Sequence, residues 1–191
     1  KKCFLRSGIK QGNNSFFNLF SDIYFDKSSG SNEIKEFIVK NLTYEEFKHL
    51  NNGSLEVTFR NYGKQSSFQN FLEYTLSNEP KNHTFYIDFL CKHSDKLIKL
   101  STFNTFEKDN ILRGSKSRII LPIILEQTIQ KKIVNYRLLC PNYSKYLLDR
   151  LKYIKHIIIC LKKGNIFEPI YFYNKSSRPQ KIFSINHNNY I

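Results

Sequence analysis

Two carboxylates, Asp88 and Glu126, are the residues best suited by type to hold a divalent cation for phosphodiester hydrolysis. Glu126 is followed by Gln127 and Thr128, so the lysine that such a metal-dependent nuclease core needs two positions on is missing, and Asp88 is expected on the solvent face of a helix. Cys3, Cys91, Cys140 and Cys160 are scattered, with no CxxC or HxxxH pair among them and His49, His83, His93, His156 and His187; reduced thiols are expected rather than a zinc site or a disulfide framework. Cys140 and Cys160 lie in apolar runs, where a thiol packs as a small hydrophobe. Neither GxxxxGK[ST], GxGxxG nor GxSxG occurs, so no nucleotide cradle, cofactor or nucleophile elbow is expected. Glu168, set among strand-forming residues, either points outward or pairs with Arg137 or Lys162; Tyr171, Phe172 and Tyr173 could stack on single-stranded bases beside Lys163 and Lys175, or pack inward on one face.

Charge gives a second kind of chemistry. The 191 residues carry 30 basic and 16 acidic groups, a formal net charge of +14, and residues 96–191 alone hold 18 basic against 5 acidic. Such asymmetry suits an anionic partner, either nucleic-acid backbone or an acidic protein surface. Lys131, Lys132, Arg137, Lys162 and Lys163 are the candidate nucleic-acid contacts, because turns and strand faces would present them together. The bland alternative is compositional: Lys (23), Asn (20), Ile (22), Phe (17) and Tyr (12) dominate, as AT-rich codons would dictate. The chain has no Met, which is expected of an internal stretch of a longer protein. No apolar run approaches the roughly 20 residues of a membrane span, so no membrane association is expected.

The elements that would position these groups change period midway. Phe16, Leu19, Phe20, Ile23 and Tyr24 recur at helical steps behind Asn13, Asn14 and Ser15; Ile34, Phe37, Ile38 and Leu42 resume the stripe after Ser28–Ser31. Thr43 with Glu46 has capping-box spacing, Ser67 opens another helix, and Thr84 could cap a last one through Tyr86, Ile87, Phe89 and Leu90. Beyond residue 117, Ile119–Leu125 and Ile133–Cys140 flank Lys131-Lys132, and Ile157–Leu161 and Ile166–Tyr173 flank a Gly164-Asn165 turn, with a short helix expected over Tyr143–Leu151. Pro122 and Pro169 should sit at an edge or bulge. The expected fold class is α+β: a mainly helical half over residues 1–100, a loop or linker over 101–117, an antiparallel sheet built from two β-hairpins over 118–173, and a polar tail over 174–191.

Five stretches, Phe4–Phe17 (FLRSGIKQGNNSFF), Asn51–Phe59 (NNGSLEVTF), His83–Leu90 (HTFYIDFL), Leu138–Ser144 (LLCPNYS) and Ile157–Tyr173 (IIICLKKGNIFEPIYFY), carry a resemblance. In this order the chain resembles an internal region of the early transcription factor large subunit-like proteins of nucleocytoplasmic large DNA viruses. Cys91–Lys116 departs from that pattern as a long polar insertion. The resemblance implies a non-catalytic domain for initiation of viral early transcription, in the host cytoplasm or the virion. Its implied partners are double-stranded DNA, an ATPase small subunit and the viral RNA polymerase. A divergent nuclease at Asp88 and Glu126, or a purely architectural module, stand as the alternatives.

Overall fold

The computed structural model describes residues 2–27, 30–63, 65–113, 119–139, 149, 154–174 and 178–185. The chain opens with β1 (Lys2–Arg6), runs through α1 (Ser15–Phe25), α2 (Asn32–Asn41), α3 (Tyr44–His49), α4 (Leu55–Thr58), α5 (Ser67–Leu76), α6 (Ile87–Lys92), α7 (Ser94–Leu100) and α8 (Thr105–Leu112), and then forms β2 (Ile120–Gln130), β3 (Ile133–Leu139), β4 (His156–Lys163), β5 (Ile166–Asn174) and β6 (Phe183–Ser184). The class is α+β. Among the described residues no helix is long and apolar enough to cross a membrane.

Helix α1 is the pivot of the packing. Gly12, at φ 132°, turns the chain so that its carbonyl meets the Ser15 amide at 3.0 Å, and Asn18 Nδ2 holds the Lys10 carbonyl at 3.0 Å. The helix is buried all round: Phe16, Phe17, Leu19, Phe20, Ile23 and Tyr24 pack inward, as their spacing requires, and Asn18, Ser21 and Asp22 are covered too. Phe17 meets Tyr86 edge-on at 4.8 Å, and Tyr86 stacks on Phe71 at 5.4 Å, which ties α1 to α5 and α6. Each such ring removes about 1.5–3 kcal/mol worth of apolar surface from water. Thr43–Glu46 forms the expected reciprocal capping box on α3, and Asn104–Glu107 forms a second on α8, inside residues 101–117. The Asn82 side chain, rather than Thr84, caps the short turn at His83–Phe85.

The sheet order is β1-β5-β4-β2-β3, with β6 also on β4. Both hairpins form, but β2 runs parallel to β4, so the sheet is mixed and not antiparallel throughout. Turn chemistry marks hairpins locally and leaves no signal for a parallel pairing made across intervening chain. β1 also joins the sheet, antiparallel to β5; its five exposed residues carry no alternation by which a buried face could be read. Among the described residues, Pro122 lies in β2 two positions before its first pair with β3, and Pro169 just past the last pair of β5 with β1, positions where a missing donor is tolerated. The expected helix over Tyr143–Leu151 lies, apart from Asp149, outside the described residues.

Candidate functional site

Even-numbered residues of β2 and β4 face the helices, and this parity sets up two polar sites at opposite ends of α1. At its C-terminal end, Asp26 takes a left-handed conformation, φ 55°, that ends the helix and turns its carboxylate outward. Lys181 donates to Asp26 Oδ1 and, at 2.6 Å, to the Asp22 carbonyl, while Thr102 Oγ1 donates to Asp26 Oδ2 at 2.7 Å. Burial alone would raise the Asp26 carboxyl, but the hydrogen bonds from Lys181 and Thr102, with the charges of Lys181 and Arg178, outweigh it and hold the group below the usual range. Tyr171 donates its hydroxyl to Asp22, and Lys181 lies 5.3 Å from the centre of the same ring.

Asp26, Thr102 and Lys181 line a cavity of about 550 Å³ between the end of α1, α8, the start of β4 and residues 178–184. His156 lies on its wall, buried and paired in register with Ser184, its pKa lowered by burial and by Lys155. Glu107 and Asn110 of α8 and Arg178 complete a lining of both charge signs. A cavity of this size with convergent polar groups is where a ligand or a partner's chain would first be sought. No motif could have revealed it, since Asp26 and Lys181 are joined only by the fold.

At the N-terminal end of α1, the Ser15 hydroxyl donates to the Asn165 carbonyl at 2.7 Å and accepts from the Phe167 amide at 3.3 Å, anchoring the β4–β5 turn. The His83 ring packs against Phe167 at 5.1 Å and Phe16 at 5.9 Å, and burial, helped by Lys162, pushes its pKa down to about 4. Beside it Glu126 accepts from Lys162 and, at 2.5 Å, from Arg137. Hydrogen bonds from Lys162 and Arg137 lower the Glu126 pKa, and with both oxygens engaged by cations its carboxylate is an ion-pair hub.

The structure thus brings Arg137 and Lys162 together, but on one shared acid. Lys131 and Lys132 sit apart, exposed at the tip of the β2–β3 ribbon at φ 50° and 68°, and Lys163 is exposed at the end of β4. Asp88, expected toward solvent, is buried in α6, and among the described residues no group of three His, Cys, Asp or Glu could hold a metal ion. Glu168 pairs with Arg6 at 3.1 Å, not with Arg137 or Lys162, because it points to the opposite sheet face, where β1 supplies the cation. Cys91 and Cys160 are buried, with both thiols pushed up by desolvation, and Cys3 is exposed on β1; Cys140, Lys175 and His187 lie outside the described residues.

No family model matches this sequence, and no curated protein matches it. Among solved structures, one described as an ovarian tumor (OTU) domain in complex with ubiquitin matches 98% of this chain and 78% of its own, at 10% identity and a TM-score of 0.53. The fold is OTU-like. A second structure, a viral OTU domain protease from Farallon virus, matches 92% of this chain and 90% of its own at 12% identity, with a TM-score of 0.46.

The OTU-like fold overturns the resemblance to early transcription factor large subunits, and with it the expected DNA-binding role and the DNA, ATPase-subunit and RNA-polymerase partners. Stretches behind that resemblance are fold devices: Phe4–Phe17 is the end of β1, the Gly12 turn and the start of α1, and Ile157–Tyr173 is a hairpin, while Leu138–Ser144 lies beyond Leu139 outside the described residues. Such devices recur wherever a chain must turn or cap, so they carry little family information. The nuclease and architectural alternatives do not match the fold either, and the nuclease also fails on Glu126, whose oxygens two cations occupy.

Proposed function

We propose that this chain is a recognition module for ubiquitin or a ubiquitin-like polypeptide. The observation that carries the reading is the likeness, over 98% of the chain, to an OTU domain solved in complex with ubiquitin. The cavity bounded by Asp26, Glu107, His156 and Arg178 is the part of the surface we assign to the partner's chain, since its mixed charge suits a peptide segment with polar side chains and backbone amides. Cys91 and Cys160, buried with raised pKa values, are the opposite of an activated thiolate, so neither of these two thiols suits nucleophilic chemistry.

Calorimetric titration of the chain with ubiquitin tests the reading. Asn110→Trp, which fills the cavity mouth from an exposed helix position, and Arg178→Glu should each weaken binding about tenfold while leaving the circular dichroism spectrum unchanged. Binding that neither change affects would remove the cavity from the reading; no heat with ubiquitin or its relatives would remove the reading itself.

A further inference from the structure

Among the described residues the sheet ends at β3, an edge whose one protecting device is Arg137, turned in to Glu126. Among the described residues β3 pairs only with β2, so for seven residues, about 23 Å at strand rise, one row of backbone donors and acceptors faces outward. Natural edges are blunted by prolines, bulges, inward-pointing charges or brevity. Ile133–Leu139 contains no proline, and its seven residues pair with Ile124–Gln130 one for one, without a bulge. One face of the ribbon is apolar and wet, with Val134 46% exposed, Tyr136 61% and Leu138 55% beside Ile129, while the other sets Ile133, 64% exposed, among Gln130, Thr128, Asn135 and Arg137. Leaving such side chains in water forgoes burial energy that a packed strand would recover.

The charge of the ribbon says what kind of strand fits. From Gln127 to Leu139 there are three cations, Lys131, Lys132 and Arg137, and no acid. Glu126, at the ribbon's base, is already shared between Arg137 and Lys162, and Lys163 pairs in register with Gln127 to extend the basic surface. A second copy of the chain would set like charges against one another across the joint. β1, at the opposite edge, is shorter and is itself basic through Lys2 and Arg6, the latter engaged with Glu168.

We propose that β3 is a docking edge for an acidic, extended peptide segment of a partner protein, which adds to the sheet as a further strand. Main-chain hydrogen bonds supply the affinity, the apolar side chains of Val134, Tyr136 and Leu138 pack against alternate residues of the incoming strand, and Lys131 and Lys132 select acidic flanks. The site lies away from the Asp26–His156 cavity and does not depend on the proposed recognition of ubiquitin.

The test uses the whole chain and a fluorescent nine-residue peptide alternating glutamate with valine, beside a lysine–valine version and one N-methylated along a single edge. Saturable binding of the acidic peptide is expected, weakened at least tenfold by N-methylation, at least tenfold by Lys131→Glu with Lys132→Glu, and to a similar degree by Tyr136→Glu, which places a charge on the edge. All three positions are exposed, so an unchanged circular dichroism spectrum shows that the variants fold. Equal binding of the N-methylated peptide would overturn strand addition, and equal binding of the lysine peptide would overturn the acidic preference. Absence of peptide binding would also overturn the proposal, whether the ribbon then drives self-association in sedimentation or takes up anionic lipid vesicles.

Discussion

Acid should weaken this fold well above the pH at which carboxylates protonate, and His83 should account for a measurable share. Packed between Phe16 and Phe167 and facing Lys162, its imidazole has a pKa of about 4 in the fold against 6.5 in an unfolded chain. The unfolded chain therefore takes up a proton that the folded one refuses. A base whose pKa falls on folding contributes full stability above 6.5 and loses it as pH drops toward 4. Integrating between pH 7 and pH 5 with these two values gives a loss of about 2 kcal/mol from this residue alone. His93 and His156 also have lowered pKa values, chiefly through burial, and act in the same direction. Asp26, Glu33, Glu46 and Glu126 are lowered from 3.8 or 4.5, so they give up stability only below about pH 5, outside the window. Urea denaturation at pH 7, 6 and 5 is the assay. His83→Phe keeps a ring against Phe16 and Phe167 but cannot titrate, so its loss between pH 7 and pH 5 should be smaller than that of the native chain by about 2 kcal/mol. Equal losses in the two proteins would refute the reasoning.

Other perturbations follow from the same packing. Glu126→Gln leaves Lys162, only 17% exposed at its side chain, without its charged partner, and should cost about 2 kcal/mol in urea denaturation at pH 7, short of a fully buried pair because Arg137 is 70% exposed. Phe17→Ala empties a position that is 0% exposed between α1 and Tyr86 and should cost about 3–5 kcal/mol, read from the denaturation midpoint. Iodoacetamide at neutral pH, followed by peptide mass mapping, should label Cys3 readily and leave Cys91 and Cys160 unlabelled until denaturant is added; fast native labelling of Cys91 would show that the α6 core is open.

The parts of the fold that could be read from sequence are those fixed by neighbours in the chain. The α1 stripe, the Thr43–Glu46 capping box and the two hairpins around Lys131-Lys132 and Gly164 all rest on spacings of a few residues, and all form. What was not legible depends on long-range pairing. The parallel register of β2 on β4, the addition of β1 to β5 and the pairing of Arg6 with Glu168 join positions that no local pattern links. The cavity follows the same rule, because Asp26, His156 and Lys181 come from three separate regions of the chain. Charge misled for a related reason: a count of lysines and arginines is blind to Glu126 standing between two of them. The stretches that suggested a transcription factor are, among the described residues, turns, short helices and strands, which physics reuses in unrelated folds.

The most direct test of the central proposal is an NMR titration of isotope-labelled ubiquitin with the whole chain, repeated with Asn110→Trp. Saturable shifts confined to one face of ubiquitin, reduced about tenfold in apparent affinity by the cavity-filling change, are the expected result. An unperturbed ubiquitin spectrum at millimolar chain would contradict the account and leave only the fold in common with the OTU domain it resembles.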